Sequence, residues 1–303
     1  MKKIFTLFLL VIAANSFFGQ TPFASASLRN SVFLYNPSES SDSICMLALN
    51  ARTQWIGVGQ ATPNQGAFYF RKLFGKGKIG LAAQMNHLQY GVFKRSSFMV
   101  DGSYNLKTNY GQFALGLRLG AELWSYNLAD VYVHDASDPQ FSTNISNEIS
   151  ANRGLGFSYK WKFIKVGFSL PRLMENDIAD VDGATTVLTR LSKKSSLLGY
   201  INVSKTIKEQ FQLDFMVGYI GSEIDIAQPW FDAKVGYKNM LELGAQYRYS
   251  NSFSAYLTST IKSNYKLIFA FEMPVNSNIP GKTAEIGLQW LLFSNKTKTA
   301  ENE

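Results

Sequence analysis

A chain of 303 residues with a formal net charge of +8, 46% hydrophobic residues and a 14% aromatic share has room for one large barrel or two ordinary domains. Beyond its N-terminus no apolar run reaches the roughly eighteen residues of a membrane helix, and a single cysteine, Cys45, excludes an internal disulfide. The lysines and arginines are scattered, without a basic helix or cluster. That argues against nucleic acid and fits a dispersed basic surface facing anionic headgroups or peptidoglycan.

Met1 to Gln20 reads as a secretory leader. Lys2 and Lys3 begin it, Ile4 to Ala14 form an apolar stretch too short to span a membrane, and cleavage is placed before Gln20, so that residues 1–19 are the signal peptide. Losing the two lysines leaves a net charge of +6. Residues 20–43 have no periodicity and contain Asn36-Pro37. They read as a periplasmic lead-in or a plug.

From Ile44 onward the sequence alternates. The clearest stretch is Gly111–Asn127: Phe113, Leu115, Leu117, Leu119, Ala121 and Leu123 lie on one face, with Gln112, Gly116, Arg118 and Glu122 on the other. Period two with one apolar and one wet face is a half-exposed strand, and about ten tilted residues suffice to cross a bilayer in this form. Trp124 and Tyr126 close it and are read as part of an aromatic belt.

Four strands precede it: Ile44–Trp55, Gln65–Leu73, Ile79–Gln89 and Ser97–Lys107. Cys45 falls inside the first of these as a small hydrophobe. After a long polar connection, Asn127 to Ala151, come Gly154–Lys162 and Phe163–Leu170. A second long connection, Pro171 to Ser196, leads to Leu197–Lys205, Phe211–Ile220, Trp230–Lys238, Met240–Tyr249, Phe253–Ile261, Tyr265–Met273 and Thr283–Phe293. Residues 44–293 are thus expected to form a transmembrane antiparallel up-and-down β-barrel of about 14 strands, with 294–303 a polar periplasmic tail.

Parity supports the barrel. Counted from a periplasmic start, the connections after strands 5, 7, 9 and 13 lie outside and are long, while those after strands 4, 6, 8, 10 and 12 lie inside and are tight. Long outer loops and short inner turns mark outer-membrane barrels. The connections near Tyr90 and Asn251 are short although parity places them outside. The wet faces carry Arg52, Asp101, Arg118, Glu122, Asp214, Asp232, Lys234, Glu242, Arg248, Glu272 and Glu285. A lysine or arginine facing lipid at the midplane costs roughly 2–4 kcal/mol, so these charges are expected to face the lumen and pair across it, leaving it narrow or occluded.

No catalytic, cofactor-binding or metal-binding residue is assigned. His87 and His134 have no histidine or cysteine partner at metal spacing. His87 with a serine on a neighbouring strand is a weak lipase reading beside a rim histidine. Asp130, His134, Asp135 and Asp138 lack a calcium-loop spacing. Gly75-Lys76-Gly77-Lys78 lacks the phosphate-loop spacing and reads as a turn. Glu175, Asp177, Asp180 and Asp182 read as a solvated loop, with a docking patch for a basic segment as the sharper alternative.

Asn36-Pro37, Arg52-Thr53-Gln54-Trp55-Ile56-Gly57, Asp138-Pro139-Gln140-Phe141, Gly154–Tyr159 and Val166–Pro171 resemble, in that order, the motifs of the PorP/SprF family of Bacteroidota outer-membrane proteins. The likeness runs from about Thr21 to Phe293. The chain departs from the family pattern after Asn36-Pro37, where Ser-Glu-Ser-Ser stands in place of Ala-Tyr-Ala-Gly, and in the tail beyond the last strand. Arg52 and Trp55 read as lumen and rim residues of the first strand ahead of direct partner contacts. The resemblance implies a non-enzymatic barrel of the type IX secretion system, linked to gliding motility and adhesin display. Implied partners are secretion components, the cargo sorting domain and a peptidoglycan-associated periplasmic subunit, besides membrane lipid. The competing expectation is a passive porin or hydrophobic-solute transporter of the outer membrane.

Overall fold

The computed structural model describes residues 25–42, 44–59, 62–127, 144–173, 196–208, 210–222, 228–275 and 281–294. An α-helix, α1 (Leu28–Tyr35), and a 3-10 turn (Pro37–Ser41) precede fourteen strands. The strands are β1 (Ile44–Ile56), β2 (Asn64–Phe74), β3 (Ile79–Tyr90), β4 (Phe93–Thr108), β5 (Gly111–Tyr126), β6 (Ile145–Trp161) and β7 (Ile164–Arg172), followed by β8 (Ser196–Ile207), β9 (Phe211–Ser222), β10 (Gln228–Tyr237), β11 (Leu241–Arg248), β12 (Ser252–Ile261), β13 (Tyr265–Pro274) and β14 (Lys282–Ser294). Each pairs antiparallel with its sequence neighbours, and β1 closes on β14 from Ile44↔Ser294 to Ile56↔Lys282. Closure leaves no sheet edge, so every strand finds its backbone partners without water, as a bilayer demands. No helix among the described residues is long and apolar enough to cross a membrane.

The two faces separate as period two requires. On β5, Leu115, Leu117 and Leu119 point outward, each more than 60% exposed, while Arg118 and Glu122 between them are under 5% exposed. The other inward charges expected from the sequence, Arg52, Asp101, Asp214, Asp232, Glu242, Arg248, Glu272 and Glu285, are likewise buried inside the ring, and Lys234 is nearly so. They do not pair across the lumen as expected. Most join strands that are neighbours or one apart: Arg118 holds the directly opposed Asp101 through two bonds of 2.7 and 2.8 Å, Arg248 on β11 holds Glu272 on β13, and Arg172 on β7 holds Glu122 on β5. Short charged side chains on a curved wall reach a neighbour before they reach the far side, and the centre is filled by other residues.

Two further expectations are corrected. Trp124 and Tyr126 are not an outer belt; they are 7% and 1% exposed and face the lumen. They share even parity with Arg118 and Glu122, and the alternation runs unbroken through them. Inside, Trp124 stacks on Tyr126 (6.3 Å) and lies under the guanidinium of Arg95 at 5.2 Å. The connection expected over Asn127–Ala151 is also shorter, because β6 already begins at Ile145 and runs for 17 residues, against 8 in β11. The added stretch keeps the alternation, with Ser150 and Asn152 inward and Ile149 outward, but Asn147 and Arg153 at outward positions interrupt its apolar face.

All six connections at one end, the turn end, are tight: between β4 and β5 the chain reverses at Asn109-Tyr110, and between β6 and β7 at Lys162-Phe163. Lys162, Lys208, Lys238 and Lys262 there take left-handed backbone angles. Gly75-Lys76-Gly77 is a 3-10 turn, with Gly75 and Gly77 at φ +58° and +85°. The opposite, loop end carries the long connections, besides the short ones at Gly91-Val92 and 249–251. Residues 1–24, 128–143, 174–195 and 295–303 fall outside the described residues. The leader, the tail, His134 with its neighbouring aspartates, Asp138–Phe141 and the Glu175–Asp182 cluster therefore do too.

Candidate functional site: a polar segment seated in the lumen

The interior of the ring is occupied by the chain's own residues 25–42, which run from the loop end down to the start of β1 at the turn end. The sequence shows no periodicity here, and an eight-residue helix is marginal by itself in water. The barrel supplies what the helix lacks. At its N-terminus, the Ala26 N–H donates to Glu285 Oε2 (2.7 Å) and the Leu28 N–H to Gln246 Oε1 (2.9 Å). At its C-terminus, the Leu34 carbonyl accepts from Arg118 Nη1 (2.9 Å) and the Tyr35 carbonyl from the Ser169 hydroxyl (3.1 Å). Orphan helix-end groups are thus satisfied by the wall, with an anion near the positive end of the dipole and a cation near the negative end.

Apolar contacts complete α1. Leu28 and Val32, one turn apart, pack on Leu198, Tyr200, Met216, Ile220 and Trp230 of β8, β9 and β10. Phe33 and Leu34 meet Met46, Ala48, Tyr69 and Ala82 on the other side, with Phe33 and Tyr69 ring centres 4.5 Å apart. Each fully buried aliphatic side chain is worth about 1.5–3 kcal/mol. A gap of about 20 Å³ between α1 and β1, β2 and β14 holds no more than a water.

The Asn36–Asp42 turn is fitted more closely. Asn36 caps it, its Oδ1 accepting from the Ser38 N–H (3.0 Å) and Ser38 hydroxyl (2.8 Å) while its Nδ2 donates to the Phe157 carbonyl (3.2 Å). Three inward glycines make the space. A Cβ on Gly80 would stand 2.4 Å from the Ser40 carbonyl oxygen, one on Gly116 2.3 Å from the Ser38 nitrogen, and one on Gly156 2.2 Å from Asn36 Oδ1. Only a residue without a side chain allows this approach. Glu39, 6% exposed, accepts from Lys165 Nζ (2.6 Å) and the Tyr200 hydroxyl (2.5 Å). Arg71 bonds the Glu39 carbonyl (3.1 Å) and pairs with Asp42 (3.1 Å), and the Ser40 and Ser103 hydroxyls are 2.7 Å apart. Burial pushes the Asp42 carboxyl up, but Arg71 and Lys165 outweigh it and hold the group below its ordinary value.

The residues singled out from the sequence fall in place unevenly. Arg52 and Gln54 face the lumen, and Trp55 stands at the loop end in edge contact with Tyr90 (5.4 Å). A bulge between Thr53 and Ile56, with Trp55 at φ +55° and Gly57 at φ +92°, shapes that motif. His87 lies on the exposed face, its Nδ1 3.0 Å from the Ser96 hydroxyl on the opposed strand, and no carboxylate bonds it among the described residues. No cluster of metal-ligating side chains occurs among the described residues. Sequence reasoning passed over Arg29, Glu39, the three seat glycines and Tyr200. The glycines were legible only in part: Gly116 and Gly156 sit at inward positions, but so do Gly120 and Gly154 on the same strands.

The model of the type IX secretion system membrane protein family PorP/SprF matches residues 17–289 of this sequence. No curated protein matches it significantly. Among solved structures, the Acinetobacter baumannii outer membrane protein Omp33 aligns with a TM-score of 0.52 at 9% identity, over 83% of this chain and 99% of that one. A Pseudomonas aeruginosa FadL homologue aligns at 0.51 and 10% identity, over 85% and 93%. At such identities the likeness establishes the barrel fold alone.

Proposed function

From the premise that this outer-membrane barrel belongs to the type IX secretion system membrane protein family PorP/SprF, we propose that it serves secretion as a non-enzymatic accessory or docking component and not as an open pore. The observation that carries this reading is the occupied lumen. Residues 25–42 act as a plug, bonded to strands all around the ring, and a passive channel needs a continuous aqueous path instead.

Docking then falls to the two ends. The turn end is taken as periplasmic, since short turns face that side in outer-membrane barrels. Lys107, Lys160, Lys162, Lys205, Lys208, Lys238 and Lys262 are all exposed there, a basic rim suited to an acidic periplasmic subunit. The two longest connections, at 127–144 and 173–195, follow β5 and β7 on the other side and would meet the cargo sorting domain or a surface partner. The test is co-purification from outer membranes. Reversing the charge of the seven turn lysines should strip periplasmic partners and lower secretion while the barrel still folds. Unchanged partners and secretion would contradict the turn assignment. In planar bilayers the purified wild-type protein should be closed most of the time; a steady conductance would favour the channel.

A further inference from the structure

Arg52 and Glu285 lie directly opposite each other on β1 and β14, the spacing at which neighbouring strands make ion pairs. They do not form a hydrogen-bonded pair. None of the three Arg52 guanidinium nitrogens has a hydrogen-bond partner, although the residue is 3% exposed. Its nearest carboxylate oxygens, on Glu285 and Glu272, are 3.7 and 3.8 Å away. Both carboxylates are engaged elsewhere. Glu285 accepts from the Ser25 hydroxyl (2.6 Å), the Ala26 N–H (2.7 Å) and Asn50 Nδ2 (2.7 Å), and Glu272 is held by Arg248. A buried guanidinium with nothing to donate to is costly. Here the cost arises because the first residues of the luminal segment have taken the partner that stands opposite it.

Besides single bonds between its backbone and Gln246, Ser254, Gln289, Arg118 and Ser169, this stretch has one more charged hold, and it is also one the wall can spare. Arg29 donates to Asp232 (2.5 Å) and Asn202 (2.7 Å), but Asp232 keeps the Tyr256 hydroxyl at 2.9 Å without it. The Asn36–Asp42 turn is instead fixed among three glycines, with Glu39 on Lys165 and Asp42 on Arg71.

We infer that residues 25–35 form a releasable strap hinged at the Asn36–Asp42 turn, and that Arg52 takes Glu285 when the strap leaves. The segment is then a gate with two satisfied states, and Arg52 is a positioning residue that favours the open one. The inference rests on the closed lumen proposed above but not on any docking partner.

The two cations have opposite signs in this scheme, and that gives the test. In single-channel recordings of the purified full-length protein, Arg29→Gln should raise the opening frequency and Arg52→Gln should lower it. Each change should be about ten-fold, the worth of one charge-assisted hydrogen bond made in one state only. A second readout is the labelling rate of a cysteine at Ser31, which is 3% exposed, by a water-soluble maleimide in a Cys45→Ser background. Labelling should speed up with Arg29→Gln and slow down with Arg52→Gln. Arg52→Gln that leaves both readouts unchanged, or moves them the same way as Arg29→Gln, overturns the strap. Normal co-purification of partners in that case would leave the docking reading standing, and lost partners with intact gating would do the reverse.

Discussion

The Asn36–Asp42 turn and the helix before it occupy the same lumen but are held differently. The turn is held by shape: backbone lies against Gly80, Gly116 and Gly156 at distances no side chain tolerates, and Glu39 and Asp42 have dedicated cations in Lys165 and Arg71. The helix is held by exchangeable groups, through wall carboxylates that have other partners in reach and through apolar packing spread over several strands. Close fit resists any change of geometry, because interiors are packed like crystals. Polar contacts with alternative partners allow two arrangements of similar energy. A segment built this way is anchored at one end and free to exchange at the other.

The largest expected effect comes from cutting the group that ties the end of the helix to the wall. Arg118 holds Asp101 and the Leu34 carbonyl together. Arg118→Leu leaves a buried carboxylate without its cation and should cost about 3–5 kcal/mol in urea unfolding of the reconstituted barrel. The double variant Arg118→Leu/Asp101→Leu should recover part of that loss.

Next in size is overfilling the seat. Gly116→Val forces the turn away and should cost about 1–3 kcal/mol. Gly199→Ala, whose Cβ meets nothing within 4 Å, should stay within about 0.5 kcal/mol of wild type. Equal costs at the two positions would mean that the seat is not close-fitting. Arg29→Gln, acting on the exchangeable end, should cost less, roughly 1–2 kcal/mol, because Asp232 retains Tyr256.

The smallest effect is one of pH. The folded Asp42 carboxyl has a lowered pKa, so its contribution is present above the ordinary carboxylate value and fades as pH falls through the lower, folded value. Its side chain is 38% exposed, so the loss is modest. It should show as a slight destabilisation below about pH 4 that disappears in Asp42→Asn.

The same contrast explains what could be read in the sequence. All fourteen strands and the inward charges were legible, because period two is a local property of each strand and the bilayer enforces it on one face. Trp124 and Tyr126 could have been placed inside by carrying the parity of Glu122 two steps further. The start of β6 at Ile145 was harder to see, since Asn147 and Arg153 interrupt the apolar outward face there. The helix at Leu28–Tyr35 was hidden because its stability lies in wall contacts, and the ion-pair partners of Glu39 and Arg29 are set by barrel register and not by sequence spacing. Fourteen patterned strands thus announced the container, whereas its contents depend on long-range fit.

The central claim is that residues 25–42 sit inside the closed ring, and one cross-link tests it most directly. The Ser40 and Ser103 hydroxyl oxygens are 2.7 Å apart, on the turn and on β4, a separation that suits a disulfide once both are cysteine. In Cys45→Ser outer membranes, Ser40→Cys/Ser103→Cys should oxidise almost completely to an intramolecular disulfide, seen as a reducible shift in gel mobility. A folded barrel in which both thiols stay free and react readily with a water-soluble maleimide would contradict the account.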